Sequence, residues 1–563
     1  MHPRPPLPHS HPDYNYNAPY YGAFASGHGE LAEAYWQPLL DWMAPSGAAK
    51  ARAQAALAHA TGCAASALYY NCHLAPYGQA STDPMSRFMT WNLPHALLPL
   101  INHWEYTHNV SFARSTIYPL LAGAMDWYAC YLRQNSSSGV WNDDSPFNPD
   151  YEHEGQPTVN PTIALALIQR VASAAVAVAA ALGVTPPAAV ASIAAQLAPV
   201  STLEVPAPGP PRNWTVFENN RCTDVASSWT FYGVPDLAAC QRRCDGTAGC
   251  DLVSYCPPVA VNNASGCSGA GGQPAPLTCW GMPRSQLPHC HTDAGVNRGW
   301  TSAAANASSA PNATQVRAWA THAGQTQVGQ GDWFAAYAAW PAEACDPASP
   351  WTPALGALAR ATVSLYGSDF ATGRGVDIAA QAVRAGARSS GGGGGGALDG
   401  YSPSEVADGL DAFLARSFGA SQLAYAPGGG IENTGMSRAV CEMLLQSYLV
   451  DAGGARAGAG PLGAYVLALF PFWPSGEAAA FWGLRAKGGF AVNASTDGAR
   501  VAAPVAVTAQ SAFSSACLVS PWGASPVAAA CGGQPAPVTR YAFGILCWEA
   551  PQAATCLLAP TSA

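Results

Sequence analysis

The stretch ALLPLINHWEYTHNVSFARSTIYPLLAGAMDWYACYL, residues 96–132, carries the pattern that decides the fold. Its apolar residues recur every three or four positions, which is the spacing of one face of an α-helix. Two such faces are formed by Leu97, Ile101 and Trp104, and by Leu121, Met125, Tyr128 and Leu132. The stretch therefore predicts two consecutive helices.

The same spacing continues on both sides and predicts a mainly helical chain. Further helical faces are Leu31, Tyr35, Leu39 and Trp42 within 30–42; Ile163, Leu167 and Val171 after Pro161; Leu355, Leu358, Thr362 and Leu365; and Val406, Leu410 and Phe413 after a capping box of Ser402 and Glu405. A last helix is predicted over 440–450. The apolar run 163–184 is interrupted by Gln169 and Arg170, which favours a buried helix over a membrane span.

Two regions break the helical pattern. A Pro-rich linker covers 206–211, and eight of the 17 cysteines follow between Cys222 and Cys290. After Pro474, short apolar alternations separated by Gly and Pro predict β-strands. We therefore expect the first part of a helical domain at 1–205, a Cys-rich insert at 206–305, the second part of the helical domain at 306–472 and a small C-terminal β-domain at 473–563.

The charge content restricts the classes of partner. Charged residues make up 10 % of the chain and the formal net charge is −9. Nucleic acid binding calls for a basic patch, and the Lys and Arg residues are scattered singly. Neutral, polar substrates such as sugars suit this composition better.

Cysteines and glycosylation motifs indicate the compartment. Seven Asn-x-Ser/Thr sequons accompany the cysteine cluster, at Asn109, Asn135, Asn213, Asn263, Asn306, Asn312 and Asn493. Together they favour the secretory pathway or the extracellular space. Residues 1–11 have no apolar segment of a signal peptide, so we expect that the natural start has been lost.

The first polar motif is Asp13-Tyr14-Asn15-Tyr16-Asn17. If the segment is extended, Asn15 and Asn17 point to the same side. Their amides could then hold a sugar hydroxyl or position a water molecule. A turn with solvated Asn side chains is the alternative.

The second motif is the acidic stretch WNDDSPFNPDYEHEG, residues 141–155. It has five carboxylates next to Trp141 and Tyr151, and it lies between two predicted helices. This composition is typical of a sugar subsite with a general acid. A calcium site or a solvated loop is the alternative.

The third motif is the glycine-rich stretch GGGIENTG, residues 428–435, which leads into a helix. A carboxylate on such a loop, here Glu432, can be held rigidly beside a substrate. The alternative is that Glu432 stabilises the helix N-terminus, where the helix dipole favours an anion.

Cleavage of a glycosidic bond needs two carboxylates, one on either side of the bond. The second and third motifs could supply them from opposite rims of one cavity. The chain has no G-x-S-x-G nucleophile elbow, no Walker motif and no H-E-x-x-H motif. We expect a hydrolase that requires neither a metal ion nor an organic cofactor.

These motifs resemble glycoside hydrolase family 95. The matching segments, in order, are Asp13–Asn17, His103–Thr107 with Tyr118–Leu121, Glu442–Ser447, and Trp473–Gly476 with Gly483–Phe490. The resemblance implies an (α/α)6 toroid and an inverting α-L-fucosidase, with relatives that act on α-L-galactosides.

The resemblance also implies roles for individual residues. In the family a Glu is the general acid, an Asp is the base, and two Asn help the base to activate water. By position, the two asparagines correspond to Asn15 and Asn17, and the acid to Asp150, with Glu152 and Glu154 as rivals. Glu432 lies one position from the family's Asp, is longer by a methylene, and is the candidate base.

The insert has a resemblance of its own. Cys222, Cys240, Cys244, Cys250 and Cys279-Trp280 look like the pattern of a PAN/Apple module, a type that binds proteins or carbohydrates. A disulfide-linked spacer without a ligand is the alternative.

Two departures from the family pattern concern sugar recognition. The histidines of the family's H-R-H-x-S-H-L segment are missing near 330–336, and Asn71-Cys72-His73 only half resembles H-H-N-T-D. The expected substrate is therefore an oligosaccharide or glycoconjugate with a terminal α-L-fucosyl or similar unit. The rival hypotheses are a catalytically drifted carbohydrate- or protein-binding protein and a toroid enzyme of another type, such as a phosphorylase.

Overall fold

The computed structural model describes the chain in segments. These are 14–43, 63–69, 90–144, 158–206, 353–366, 373–387, 399–417, 435–450, 463–511 and 515–561, with residues 336 and 339 and short strands between 214 and 319. Along the chain, helices are followed by a region of strands, further helices and a β-rich C-terminal part.

The helical part begins with α1 (Tyr14–Asn17), α2 (Glu33–Met43), α3 (Asn92–Thr107) and α4 (Tyr118–Tyr131). A two-stranded ribbon, β1 (Arg133–Gln134) and β2 (Trp141–Asn142), leads to α5 (Thr162–Leu182) and α6 (Ala188–Gln196). The predicted apolar faces of α3, α4 and α5 are buried, and Pro161 is the N-cap of α5. The helices predicted from these faces are confirmed.

The helices after the Cys-rich region are α7 (Pro353–Tyr366), α8 (Gly373–Ala385), α9 (Pro403–Ser417) and α10 (Gly435–Leu444). The capping box at the start of α9 is present. The Ser402 backbone N–H donates to Glu405 Oε2 at 2.7 Å, and the Glu405 N–H donates to Ser402 Oγ at 3.2 Å. Two N–H groups that α9 cannot use internally are satisfied in this way.

One hydrophobic cluster joins the helices on both sides of the Cys-rich region. It includes Leu97 and Val171 from the first part, and Val383 and Leu410 from the second. The helix α5 is long and apolar enough to cross a membrane, but 67 % of its apolar window is buried inside the fold. It packs against α3, α4 and α6 as a core helix.

A second ribbon brings together the two strands on either side of the Cys-rich region. Strand β3 (Thr202–Pro206) pairs antiparallel with β11 (Gln315–Trp319), and Arg317 donates to Thr202 Oγ1 at 2.8 Å. The strands between them are β4 (Trp214–Glu218), β5 (Asn220–Cys222), β6 (Trp229–Phe231), β7 (Leu252–Tyr255), β8 (Cys279–Met282), β9 (Cys290–Thr292) and β10 (Thr301–Ala305). They form a sheet of order β4-β10-β7-β8-β6 and a pair β5-β9. Cys240 and Cys244 lie outside the described residues.

The C-terminal part consists of two sheets. Their strands are β12 (Leu445–Leu449), β13 (Tyr465–Leu469), β14 (Ala479–Ala486), β15 (Phe490–Thr496), β16 (Val505–Ala509), β17 (Ser515–Val519), β18 (Val527–Cys531), β19 (Gln534–Ala536), β20 (Val538–Arg540), β21 (Ile545–Glu549) and β22 (Thr555–Pro560). One sheet has the order β12-β13-β17-β21-β20 and the other β14-β15-β16-β22-β18-β19. Residues of both sheets share one apolar core. The predicted β-rich C-terminal part is confirmed.

Disulfides occur in both the helical and the β-rich parts. Cys63–Cys130 joins the segment before α3 to α4, while Cys517–Cys547 and Cys531–Cys556 each link directly opposite residues on neighbouring strands. Cys441 on α10 is a free thiol, and burial raises its pKa to about 11. It therefore stays protonated at neutral pH.

The predicted helix over 440–450 is wrong in its second half. The chain leaves the helix at Leu444 and continues as the strand Leu445–Leu449, which pairs with Tyr465–Leu469. Four of its five residues are buried. A short run buried on all sides has no exposed face to set its period, so a strand and a helix give the same sequence signal.

Two N-terminal segments differ in detail from what the sequence indicates. The first polar motif, for which an extended segment and a turn with solvated Asn side chains were the alternatives, forms the helical turn Tyr14–Asn17, and Asn17 is buried. Leu31, placed on the buried face of the next helix, is 59 % exposed. The residues Gly29–Ala32 form a 3-10 turn before α2 begins, which rotates Leu31 away from the face of Tyr35 and Leu39.

Candidate functional site

The Asn17 side chain supplies a hydrogen bond that helix α3 lacks because of an interior proline. Pro99 lies inside α3, and because proline has no backbone N–H, the His95 carbonyl loses its helical partner. The Asn17 side chain donates its Nδ2 to this carbonyl at 2.7 Å. Asn17 is completely buried, so this bond fixes the position of its amide.

The other end of the Asn17 amide is a buried acceptor. Its Oδ1 accepts no hydrogen bond within the described part of the chain. Asn92, in the first turn of α3, is also completely buried, and neither atom of its amide is hydrogen-bonded there. Buried amide atoms without partners are costly, and a water molecule or a sugar hydroxyl would satisfy them.

His95 lies three residues after Asn92 on α3, and its carbonyl accepts the hydrogen bond from Asn17. Its Nε2 is 3.1 Å from the Tyr21 hydroxyl. Burial lowers the pKa of His95 to about 3, so the ring is neutral at physiological pH. A neutral imidazole can accept the Tyr21 proton through Nε2, which ties the segment after α1 to α3.

Asp143, in the acidic stretch, and Asn160, just after it, form two hydrogen bonds with each other. The Asp143 N–H donates to Asn160 Oδ1 at 2.8 Å, and the Asn160 N–H donates to the Asp143 carbonyl at 2.6 Å. The Asp143 side chain is buried and accepts from the Tyr131 hydroxyl at 3.0 Å. Asp143 and Asn160, which lie on either side of the undescribed residues 145–157, therefore meet beside the C-terminal end of α4.

Aromatic residues of α4 connect Asp143 to the residues just before α3. Trp127 stacks between Tyr69 and Tyr131, each with a centroid distance of 4.6 Å. The Tyr128 hydroxyl donates to the Thr90 carbonyl at 2.6 Å. Burial, with Asp143 nearby, raises the pKa of Tyr128 well above its ordinary value, so the hydroxyl remains a donor.

The segment after Asn17 also contacts the start of α10. A side chain at Gly22 would overlap the Ser437 side chain and would lie 3.3 Å from the Arg438 backbone nitrogen. Helix α10 begins at Gly435, three residues after Glu432. The contact at Gly22 therefore brings the chain near Asn17 and the helix that follows the third motif together.

The structure describes only some of the predicted site residues. Asn17 is described in full, and Asn15 only as a backbone position in α1. Glu432, Asp150, Glu152 and Glu154 lie outside the described residues. Sequence reasoning missed Asn92 and His95, although the interior proline at position 99 was a signal that a carbonyl of α3 needs an outside donor.

A comparison of the sequence with protein families found a match. Residues 8–219 match the glycosyl hydrolase family 95 catalytic domain. The match covers Asn15, Asn17 and the acidic stretch, and it implies a glycosidase with a carbohydrate substrate. No curated protein matches the chain significantly.

The family 95 match also contains one side of a buried ionic contact with the β-rich part. Arg170 donates to both carboxylate oxygens of Glu105 at 2.6 Å, and Lys487 Nζ lies 2.9 Å from Glu105 Oε2. The Gly488 N–H donates to the Glu105 carbonyl at 2.7 Å. Arg170, which interrupts the apolar run of α5, therefore has a structural partner.

A second ionic cluster lies around Glu442 of α10. Arg384 contacts Glu442 Oε2 at 3.1 Å, and Arg438 contacts Oε1. Arg438 also donates to the Tyr106 hydroxyl at 2.8 Å, which links α10 to α3. Among the described residues, no group of three or more His, Cys, Asp and Glu side chains could hold a metal ion.

Because Asn17 supplies the hydrogen bond that Pro99 cannot make, the stability effects of substitutions at the two positions should depend on each other. Asn17→Leu removes the donor to the His95 carbonyl and is expected to lower the free energy of unfolding by about 1–3 kcal/mol. In a Pro99→Ala background the helix regains its own N–H, so the same substitution should cost much less. Denaturant unfolding of the four proteins measures the coupling.

The same four proteins separate stability from catalysis. Pro99→Ala does not replace Asn17 Oδ1, so activity should stay low in the double variant although its stability returns. An equal stability cost of Asn17→Leu in both backgrounds would contradict the repair of α3 by this side chain.

Proposed function

We propose that the chain is a glycoside hydrolase that cleaves a terminal α-L-fucosyl or similar glycosidic bond with inversion. The observation that carries the proposal is the match of residues 8–219 to the family 95 catalytic domain. The matched residues include the buried Asn17 and the acidic stretch. The shared core of the helices before and after the insert supports one continuous helical domain, which we propose is an (α/α)6 toroid.

In this proposal Glu432 is the general base and Asn15 and Asn17 help it to activate water. Two contacts support this grouping. The Nδ2 of Asn17 is held by the His95 carbonyl, which leaves Oδ1 as an acceptor for a water proton. The packing of Gly22 on Ser437 joins the chain after Asn17 to the helix that follows Glu432.

The general acid is proposed to be Asp150, with Glu152 and Glu154 as the rival candidates. The bonds between Asp143 and Asn160 close the base of the segment that carries all three. An inverting enzyme needs space for a water molecule, so the acid should stand about 6.5–9.5 Å from the carboxylate of Glu432. The acid should be the more buried of the two, because burial raises a carboxyl pKa.

The remaining parts of the chain have supporting roles in this proposal. The cysteine cluster and the sequons support a secreted glycoprotein whose insert is a PAN/Apple-like module. The ribbon of β3 and β11 brings the ends of the insert together, as expected for a module inserted into a domain. Its ligand would be a protein or a carbohydrate.

The proposed function is tested by hydrolysis of a panel of nitrophenyl glycosides by the full chain. We expect release of nitrophenol from the α-L-fucoside or the α-L-galactoside, and none from β-linked glucosides. Binding of fucosylated oligosaccharides without turnover of any substrate would instead support the catalytically drifted protein.

The acid is identified by comparing good and poor leaving groups. Replacing the true acid by its amide should lower kcat/KM on a natural oligosaccharide by about 10²–10⁴-fold. The loss on a nitrophenyl glycoside should be far smaller, because that leaving group needs little protonation. Kinetics of Asp150→Asn, Glu152→Gln and Glu154→Gln on both substrates make the comparison.

Asp144→Asn is the matched control, since Asp144 belongs to the same stretch and is exposed, 3.3 Å from the Arg133 side chain. The Asp144→Asn substitution should change neither the rate on the natural oligosaccharide nor the rate on the nitrophenyl glycoside. Equal losses on both substrates for all three candidates would place the acid elsewhere.

A further inference from the structure

Trp482 is an unusual surface residue. Among the large apolar side chains that the structure describes, it is the most exposed, at 78 %. It lies in strand β14 at a bulge, where the register with β15 shifts between Phe481 and Leu484. A bulge places two residues opposite one, and the residue opposite Trp482 and Gly483 is Asn493.

Asn493 and Trp482 lie on the same outer face of this sheet. Phe481 and its partner Ala494 are both buried on the inner face. Because side chains alternate along a strand, the next residues, Trp482 and Asn493, face outward. Asn493 is exposed and is the acceptor residue of the sequon Asn493-Ala494-Ser495.

The hydrogen bond made by Asn493 leaves its amide nitrogen available. The backbone N–H of Gly483 donates to Asn493 Oδ1 at 2.7 Å. Gly483 has a φ of +72°, a conformation that glycine adopts without strain, and this turns its N–H toward β15. With Oδ1 held by the bulge, Nδ2 is the atom of the amide that remains free to carry a substituent.

The outer face continues beside Asn493 as an apolar row. Asn493 pairs with Ala506 of β16, and Ala506 pairs with Leu557 of β22, which is 45 % exposed. Exposed apolar patches on a folded domain are usually covered by a ligand or a partner. Here the residue between Trp482 and Leu557 is itself the asparagine of a glycosylation sequon.

We propose that Asn493 carries an N-linked glycan whose first sugar lies on the exposed ring of Trp482. Asn493 Nδ2 forms a bond to C1 of the N-acetylglucosamine of a lipid-pyrophosphate-linked oligosaccharide. The bond between C1 and the pyrophosphate oxygen breaks, the amide loses one proton, and the lipid pyrophosphate leaves. The apolar face of the sugar then covers the indole ring, which has a large apolar surface.

Two other described sequons provide a comparison. Asn109 and Asn135 are also exposed, and their Oδ1 atoms accept from nearby backbone N–H groups. Asn109 does so at the start of the short helix Val110–Phe112, and Asn135 in a turn. Neither residue lies in the sheet of Trp482. A glycan at Asn109 therefore serves as a control that cannot cover this tryptophan.

The experiment uses the full chain secreted from a eukaryotic host. Glycopeptide mass spectrometry reads occupancy at Asn493, and hydroxyl-radical footprinting reads the accessibility of Trp482. Ser495→Ala removes the sequon of Asn493, and Ser111→Ala removes that of Asn109. We expect occupancy at Asn493, and loss of Trp482 protection in Ser495→Ala but not in Ser111→Ala.

Two further measurements separate the glycan from effects of the substitutions. Trimming the glycan to its first sugar should keep the protection, and complete enzymatic removal should abolish it. Trp482→Ala should lower Tm by about 2 °C in the glycosylated protein, and by less in Ser495→Ala. An unoccupied Asn493, or equal labelling of Trp482 with and without its glycan, would overturn the proposal.

Discussion

Replacing Glu432 with Gln is expected to lower kcat by about 10²–10⁴-fold, the usual contribution of a general base. The amide is similar in size and can still form hydrogen bonds, but it cannot take a proton from water. KM and the unfolding temperature should therefore change little. Initial rates on the active nitrophenyl glycoside, with thermal unfolding of both proteins, measure this.

Glu33→Gln is the matched control for this substitution. Glu33 is exposed at the start of α2, so it should have the activity of the parent protein. A Glu432→Gln protein with undiminished kcat would remove Glu432 as the base. A large fall in the unfolding temperature would instead assign it a structural role at the start of α10.

Replacing Glu105 with Gln is expected to lower the free energy of unfolding by about 3–5 kcal/mol. The substitution removes the buried carboxylate that Arg170 and Lys487 share. Breaking one partner of a buried ion pair is far more costly than losing an exposed one, because the cations stay in a poorly solvated place. Urea unfolding measures the difference.

The position of Glu105 adds a second readout. Lys487 and Gly488 belong to the turn between β14 and β15, so the same substitution should loosen the β-rich part from the helices. Hydrogen exchange at the ends of β14 and β15 should rise. Glu549→Gln, at an exposed site, should stay within about 0.5 kcal/mol of the parent protein. Equal effects of both substitutions would contradict the coupling through Glu105.

Helices with one apolar face could be predicted from the sequence. The faces of α3, α4 and α5 are buried as expected, and the capping box at Ser402 forms both of its hydrogen bonds. These features are local, since they depend on residues three or four positions apart. The strand Leu445–Leu449 could not be predicted, because it is set by pairing with residues twenty positions later.

The candidate site was predictable only in part, for a similar reason. The resemblance of Asp13–Asn17 to family 95 pointed to Asn17, but not to its bond with the His95 carbonyl 78 positions away. Asn92 carries no sequence signal at all, because a buried amide that is not hydrogen-bonded to any described residue is visible only once the surrounding chain is folded. The interior Pro99 is the residue from which the outside donor could have been anticipated.

Proton NMR of the first sugar released from a nitrophenyl α-L-fucoside tests the proposed hydrolase most directly. The α and β anomers of the free sugar give separate signals before they equilibrate. An inverting enzyme with a water molecule between Glu432 and the acid must release the β anomer first. We expect the β signal to appear first with the full chain and to be absent with Glu432→Gln. Initial release of the α anomer, or no release by the full chain, would contradict the proposal.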